Sequence, residues 1–181
     1  DPADYRVTGL CGDTVELKTS LEVNLFRSGC IGRFSLVKRM TDLGMWGAPL
    51  PQDVTAAGYE MVCVLTVEGL LPAAARPALW NLLQVPGGGD IIVPVKGTAS
   101  PVAYFGSQQW RKDGQKIVLS VPAIAKSYKS GVMAESCYGA AVYLNGQVPQ
   151  PFMILRRFTV GCGECYFDAP FNAPHLKGVV Q

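Results

Sequence analysis

Residues 155–171 read LRRFTVGCGECYFDAPF, and the fold turns on whether this stretch is a chemical motif or a strand. It holds the chain's one Cys-x-x-Cys, Cys162 and Cys165, with the adjacent arginines Arg156 and Arg157 before it. A zinc site would need two further ligands, normally from a second pair of this kind. No second pair exists, and the single histidine, His175, stands in the Pro/Gly-rich sequence FNAPHLKGVVQ. An odd spacing also throws the two thiols to opposite faces of a regular strand, unless Gly161 and Gly163 kink it. A thioredoxin-type redox pair would require a helix to start between the cysteines, and GCGECYF is a poor helix opener. His175 as a catalytic base would have to be held rigidly beside its nucleophile, which a chain end of this composition does not suggest. The stretch therefore reads as a terminal strand. Phe152, Ile154 and Phe158 share one parity for packing, and Gly161 and Gly163 allow a bend or bulge. Arg156 has that same parity, so it is expected to be mostly buried and paired with a carboxylate at the sandwich edge or in a neighbouring subunit, while Arg157 faces outward with Met153 and Leu155. No catalytic, cofactor-binding or metal-ligating residue is assigned, and the redox state of Cys162 and Cys165 stays open.

The same reading extends outward. Short runs rich in Val, Ile, Thr, Phe and Tyr lie between recurrent glycines and prolines, which is the pattern of many strands with long connections. Strands are expected at TVELKTSLEV (14–23), GRFSLVKRM (32–40), YEMVCVLTV (59–67), DIIVPV (90–95), PVAYF (101–105), QKIVLSV (115–121), CYGAAVYL (137–144) and FMILRRFTV (152–160), the last extending through ECYFDA (164–169). One short helix is expected at ARPALWNLLQ (75–84), with Pro77 in its first turn and Leu79, Trp80, Leu82 and Leu83 on its apolar face. This order predicts an all-β chain: a single domain over residues 1–181, folded as an eight-stranded antiparallel jelly-roll sandwich. Connections such as TDLGMWGAPLPQDVTAAG (41–58) are long enough to cross between its sheets.

Composition narrows the function. Apolar residues make up 49% of the chain and charged residues 17%, against about 25% in typical soluble domains. A surface that poor in charge predicts apolar area covered by other subunits. A net charge of +2 does not support nucleic-acid binding through bulk electrostatics. No apolar run approaches the ~20 residues of a membrane-spanning helix, and the polar DPADYRVTG opening is unlike a secretory signal. The six cysteines lie in strand-like apolar surroundings, which predicts reduced, buried thiols. VPGGGD lacks the lysine and following helix of a phosphate loop and reads as a plain loop. The basic pairs Lys38-Arg39, Arg111-Lys112 and Arg156-Arg157 read as solvated faces or intersubunit contacts. Lys126 and Lys129 around Tyr128 leave room for a weak RNA contact. Glu60, Glu68, Asp90, Glu135, Glu164 and Asp168 are dispersed, with no spacing that argues for a catalytic pair.

Three segments, in order along the chain, carry a resemblance. They are FRSGCIGRFSLVKRM, YEMVCVLTVEGLLP and YLNGQVPQPFMILRRFTVGCGECYFDAPFNAP. Together they resemble the coat proteins of picorna-like plant viruses, specifically the small coat protein of comoviruses and fabaviruses in the secovirid family. The resemblance implies a jelly-roll subunit of a virion, assembled in the host cytoplasm. It would pack with copies of itself and a larger two-jelly-roll coat protein around single-stranded RNA, with no enzymatic step and no membrane partner. Gln181 departs from the family pattern, because it looks like the glutamine after which viral cysteine proteases cut, and this fits another capsid subunit. A β-sandwich carbohydrate-binding or adhesin module is the competing reading, with Trp46, Trp80 and Trp110 as its stacking candidates.

Overall fold

Period-two alternation governs the first third of the chain. In TVELKTSLEVNL, Val15, Leu17, Thr19, Leu21 and Val23 fall on one face and Glu16, Lys18, Ser20 and Glu22 on the other, which suits a pleated strand half covered by neighbours. The computed structural model describes residues 4–25, 28–45, 49–73, 75, 77–79, 81, 83–106, 108–124, 129–161 and 179–180. It divides the chain into two compact units, Asp1–Leu79 and Trp80–Gln181.

The first unit is an antiparallel meander of β1 (Arg6–Cys11), β2 (Thr14–Leu25), β3 (Cys30–Met45) and β4 (Ala57–Glu68), in the order β1-β2-β3-β4. Gly12, at φ 55°, opens the two-residue turn between β1 and β2, a position glycine fills without strain. Register sets Leu21 beside Phe34, Thr19 beside Leu36 and Leu17 beside Lys38. Phe34, Leu36 and Thr19 are buried on this face. A Cβ on Gly32 would lie 2.8 Å from the Phe34 ring, so the glycine leaves the space that the ring occupies. The opposite face carries Glu16, Arg39, Arg33, Val62 and Val64.

The second unit contains β5 (Asp90–Pro94), β6 (Val102–Phe105), β7 (Trp110–Asp113), β8 (Lys116–Ser120), β9 (Lys129–Met133), β10 (Ala140–Asn145), β11 (Phe152–Arg157) and β12 (Val179–Val180). One sheet runs β11-β10-β5-β8-β7 and the other β12-β9-β6, and the pairings are antiparallel. Val93, Val95, Ile117 and Leu119 pack with Val132 and Cys137 in one core, flanked by Ile91, Ala99, Phe158 and Val160. Val132 belongs to the smaller sheet, so the two sheets of this unit share that core.

The chain is all-β and antiparallel, as expected, and each of the eight expected strands forms. β1, β7, β9 and β12 are additional. Three expectations are corrected. The described residues of the 75–84 stretch (75, 77–79, 81, 83 and 84) are not helical; Arg76, Trp80 and Leu82 lie outside the described residues. An isolated helix of that length is marginal in water without packing partners. Residues 41–58 do not carry the chain from one sheet to another. β3 instead continues to Met45, and β4 returns beside it, with Asp42 opposite Tyr59 and Met45 opposite Ala57. The strand expected over 152–160 ends at Arg157, after which the Phe158 N–H donates to the Gly139 carbonyl at 2.8 Å; its expected extension over 164–169 lies outside the described residues.

Candidate subunit interface

Cys162, Cys165 and His175 lie outside the described residues, as do Glu164, Asp168, Lys126, Tyr128, Trp46 and Trp80. Among the described residues no three His, Cys, Asp or Glu side chains gather as a metal site, and no described helix is long and apolar enough to cross a membrane. Cys11, Cys30, Cys63 and Cys137 are free thiols. Only Cys137 is buried, while Cys11 and Cys30 are exposed at strand ends. The expectation of buried thiols is corrected for those two: a cysteine beside a hairpin turn has no sheet above it.

Several basic residues are engaged inside their own units. Arg39 Nε donates to Glu16 Oε2 at 2.7 Å, and Arg33 Nε to Glu22 Oε1 at 2.8 Å. Lys38 Nζ sits 4.4 Å from the centre of the Tyr5 ring. Arg111 pairs with Asp90 at 3.5 Å, and Lys112 Nζ donates to the Gly97 carbonyl. Glu16 also accepts from the Thr8 hydroxyl at 2.9 Å. The Arg39 hydrogen bond, followed by that of Thr8, holds its carboxyl below the usual glutamate range.

Arg156 and Arg157 part as strand geometry requires. Arg156 shares its face with Phe152 and Ile154, is half-buried, and donates to the Asn81 carbonyl at 3.2 Å. A carboxylate was the expected partner; a backbone oxygen takes its place, which a half-exposed guanidinium tolerates. Arg157 points out with Met153 and Leu155. Register extends this outer patch to Leu144 and Val142 on β10, and Leu144, Met153 and Leu155 are all exposed. Beneath the patch, buried Tyr143 donates its hydroxyl to the Pro86 carbonyl. Asn145 donates to the Gly87 carbonyl at 3.3 Å and accepts from the Gln147 N–H at 3.0 Å. The VPGGGD loop is thereby tied to the hairpin. A Cβ on Gly89 would lie 2.6 Å from the Leu144 carbonyl and from the Tyr143 hydroxyl. The loop needs glycine for close backbone approach, not for phosphate.

The surface that sequence reasoning missed is β4. VCVLTV is an uninterrupted apolar run of the kind found in strands covered on both faces. Among the described residues that strand is the last in its sheet. Val62 and Val64 on one face are 46% and 50% exposed, and Tyr59 and Val67 on the other are 60% and 39% exposed. The run itself was the available signal, because apolar residues at both parities require cover on both sides. Trp110, on β7, is the one tryptophan among the described residues and is half-exposed at a sheet edge. Compared with protein-family models, curated proteins and solved structures, the chain matches none.

Proposed function

We propose that this chain is a capsid protein subunit whose work is assembly, with no catalytic step. Its strands would form the jelly roll of a coat protein. Copies of it would join other coat-protein jelly rolls, including a larger two-jelly-roll subunit, in an icosahedral virion shell around single-stranded RNA. The observation that supports this reading best is β4, a strand with the composition of a buried element and large exposed valines on both faces. Such contiguous apolar area marks a protein–protein surface in a chain meant to be soluble or assembled. The low charge content acts in the same direction. The Arg157, Met153 and Leu155 patch on the second unit offers a further contact region, with a cation placed at its margin.

Sedimentation and electron microscopy test the proposal. The native material is expected as uniform spherical particles, and the isolated chain as concentration-dependent oligomers. A highly soluble monomer that stays monomeric when concentrated and forms no particles would overturn it.

A further inference from the structure

We infer that the valine face of β4 in one copy of this chain docks on the outer face of β11 in another, with Arg157 meeting Glu60 across the contact. The inference rests on the assembly reading, and it names the two surfaces, their register and the ion pair between them.

Alternation sends every second side chain of a strand to the same face, about 6.5–7 Å apart along it. One face of β4 therefore reads Glu60, Val62, Val64, Thr66 and Glu68, with Val62 and Val64 half-exposed between the two carboxylates. The outer face of β11 reads Met153, Leu155 and Arg157, and Leu144 of β10 widens it from its place opposite Met153. Met153, Leu155 and Leu144 are exposed. Each surface is thus an apolar strip ending in charge, and the two charges are opposite in sign. Neither charge is used by its own unit. Among the described residues, ion pairs join Arg33 to Glu22, Arg39 to Glu16, Arg111 to Asp90 and Lys116 to Asp113. Arg157 and Glu60 take part in none. Covering an apolar strip that ends in a charge strips water from the charge as well, which is costly unless the partner brings the opposite one.

The common spacing of the two strips selects the register. With the strands running in opposite directions, Arg157 against Glu60 sets Leu155 against Val62 and Met153 against Val64. Arg157 against Glu68 would instead set Leu155 against Thr66 and bury less apolar surface. A second copy of β11 is a poorer occupant, because FMILRR contains no carboxylate to meet Arg157. Since the two surfaces differ, the contact runs head to tail, the kind that closes into rings when its rotation permits.

Charge reversal in separate copies tests the contact. Arg157→Glu would set a carboxylate against Glu60, and Glu60→Lys would set an ammonium against Arg157. Each variant alone should self-associate about tenfold more weakly in sedimentation velocity. Mixed in equal amounts, the two variants carry opposite charges at every contact between unlike copies, and association should return close to that of the unaltered chain. Both positions are exposed, and circular dichroism checks that each variant is folded. A mixture that associates no better than either variant alone would overturn the contact. So would variants that associate as the unaltered chain does, or an unaltered chain that stays monomeric. Restoration found only when both changes stand in one chain would place the pair within a copy and overturn the contact as well. Particles that assemble equally well from either variant overturn the contact and leave the capsid reading intact. Mixed oligomers that never proceed to particles support the contact and count against the capsid reading.

Discussion

The two units handle the same kind of residue in opposite ways. In the second, Val95 and Ile117 are wholly buried and Asn145 is buried with its hydrogen bonds satisfied. Two sheets face one core there, so the unit encloses its apolar strands itself. In the first, strands of 12 and 16 residues enclose little: Phe34, Leu36 and Thr19 are buried mid-sheet, while Val7, Leu10, Tyr59, Val62 and Val64 stay exposed. A sheet becomes stable by burying at least one face. The first unit thus has the composition of a core element and the exposure of a surface. On the assembly reading proposed above, the second unit supplies stability and the first supplies association.

The largest effect should separate them directly. Ile117→Ala removes a fully buried side chain and should cost about 2–5 kcal/mol in denaturant unfolding. Val64→Ala removes a half-exposed one and should change the stability of the unassembled chain by no more than about 0.5 kcal/mol, while weakening association in sedimentation. Equal destabilisation by both changes would break the comparison.

Gly89→Ala sharpens it within the second unit. The added methyl meets the Leu144 carbonyl and the Tyr143 hydroxyl at 2.6 Å, so backbone must move. A loss of about 1–3 kcal/mol is expected, as for other overpacked sites. An unchanged thermal midpoint would show that the VPGGGD loop is not held as described.

The arginine pair gives a smaller effect. Arg156→Ala forfeits one hydrogen bond to a backbone carbonyl and should cost about 1 kcal/mol. That is well below the cost of breaking a buried ion pair, which the sequence alone suggested. Arg157→Ala should leave unfolding unchanged and alter only the salt dependence of association.

The smallest effect is electrostatic. Glu16 titrates below the usual glutamate range because Arg39 and Thr8 hydrogen-bond its carboxylate. A depressed folded value means that the pairing stabilises above the ordinary glutamate pKa, about 4.3. It fades as pH falls from there through the lowered folded value. Arg39→Ala should raise the Glu16 titration midpoint toward the ordinary range in carbon-detected NMR. A midpoint unmoved by that change would remove Arg39 as the cause.

Much of this was legible in advance because alternation is local. TVELKTSLEV announces β2, and GRFSLVKRM places Phe34, Leu36 and Lys38 on one face, where register puts them. The additional strands were hidden for equally local reasons. RVTGLC and KSGVM carry glycines that weaken the pattern, and three of the four residues of WRKD are charged. The helix expected at 75–84 shows the limit of periodicity, since spacing supplies an apolar face but not the surface that would cover it.

By itself, the sequence determined that the chain is built of strands and where eight of them lie, with β3 running five residues past its expected end. Only the tertiary structure decided that β3 and β4 stay in one sheet across residues 46–56, that Arg156 finds a backbone oxygen, and that the valines of VCVLTV stay half-exposed. The reason is physical. Side-chain alternation is fixed by backbone pleating within a few residues, whereas sheet membership depends on contacts between residues far apart in the chain. A strand written for burial reads the same whether its cover comes from its own chain or from another.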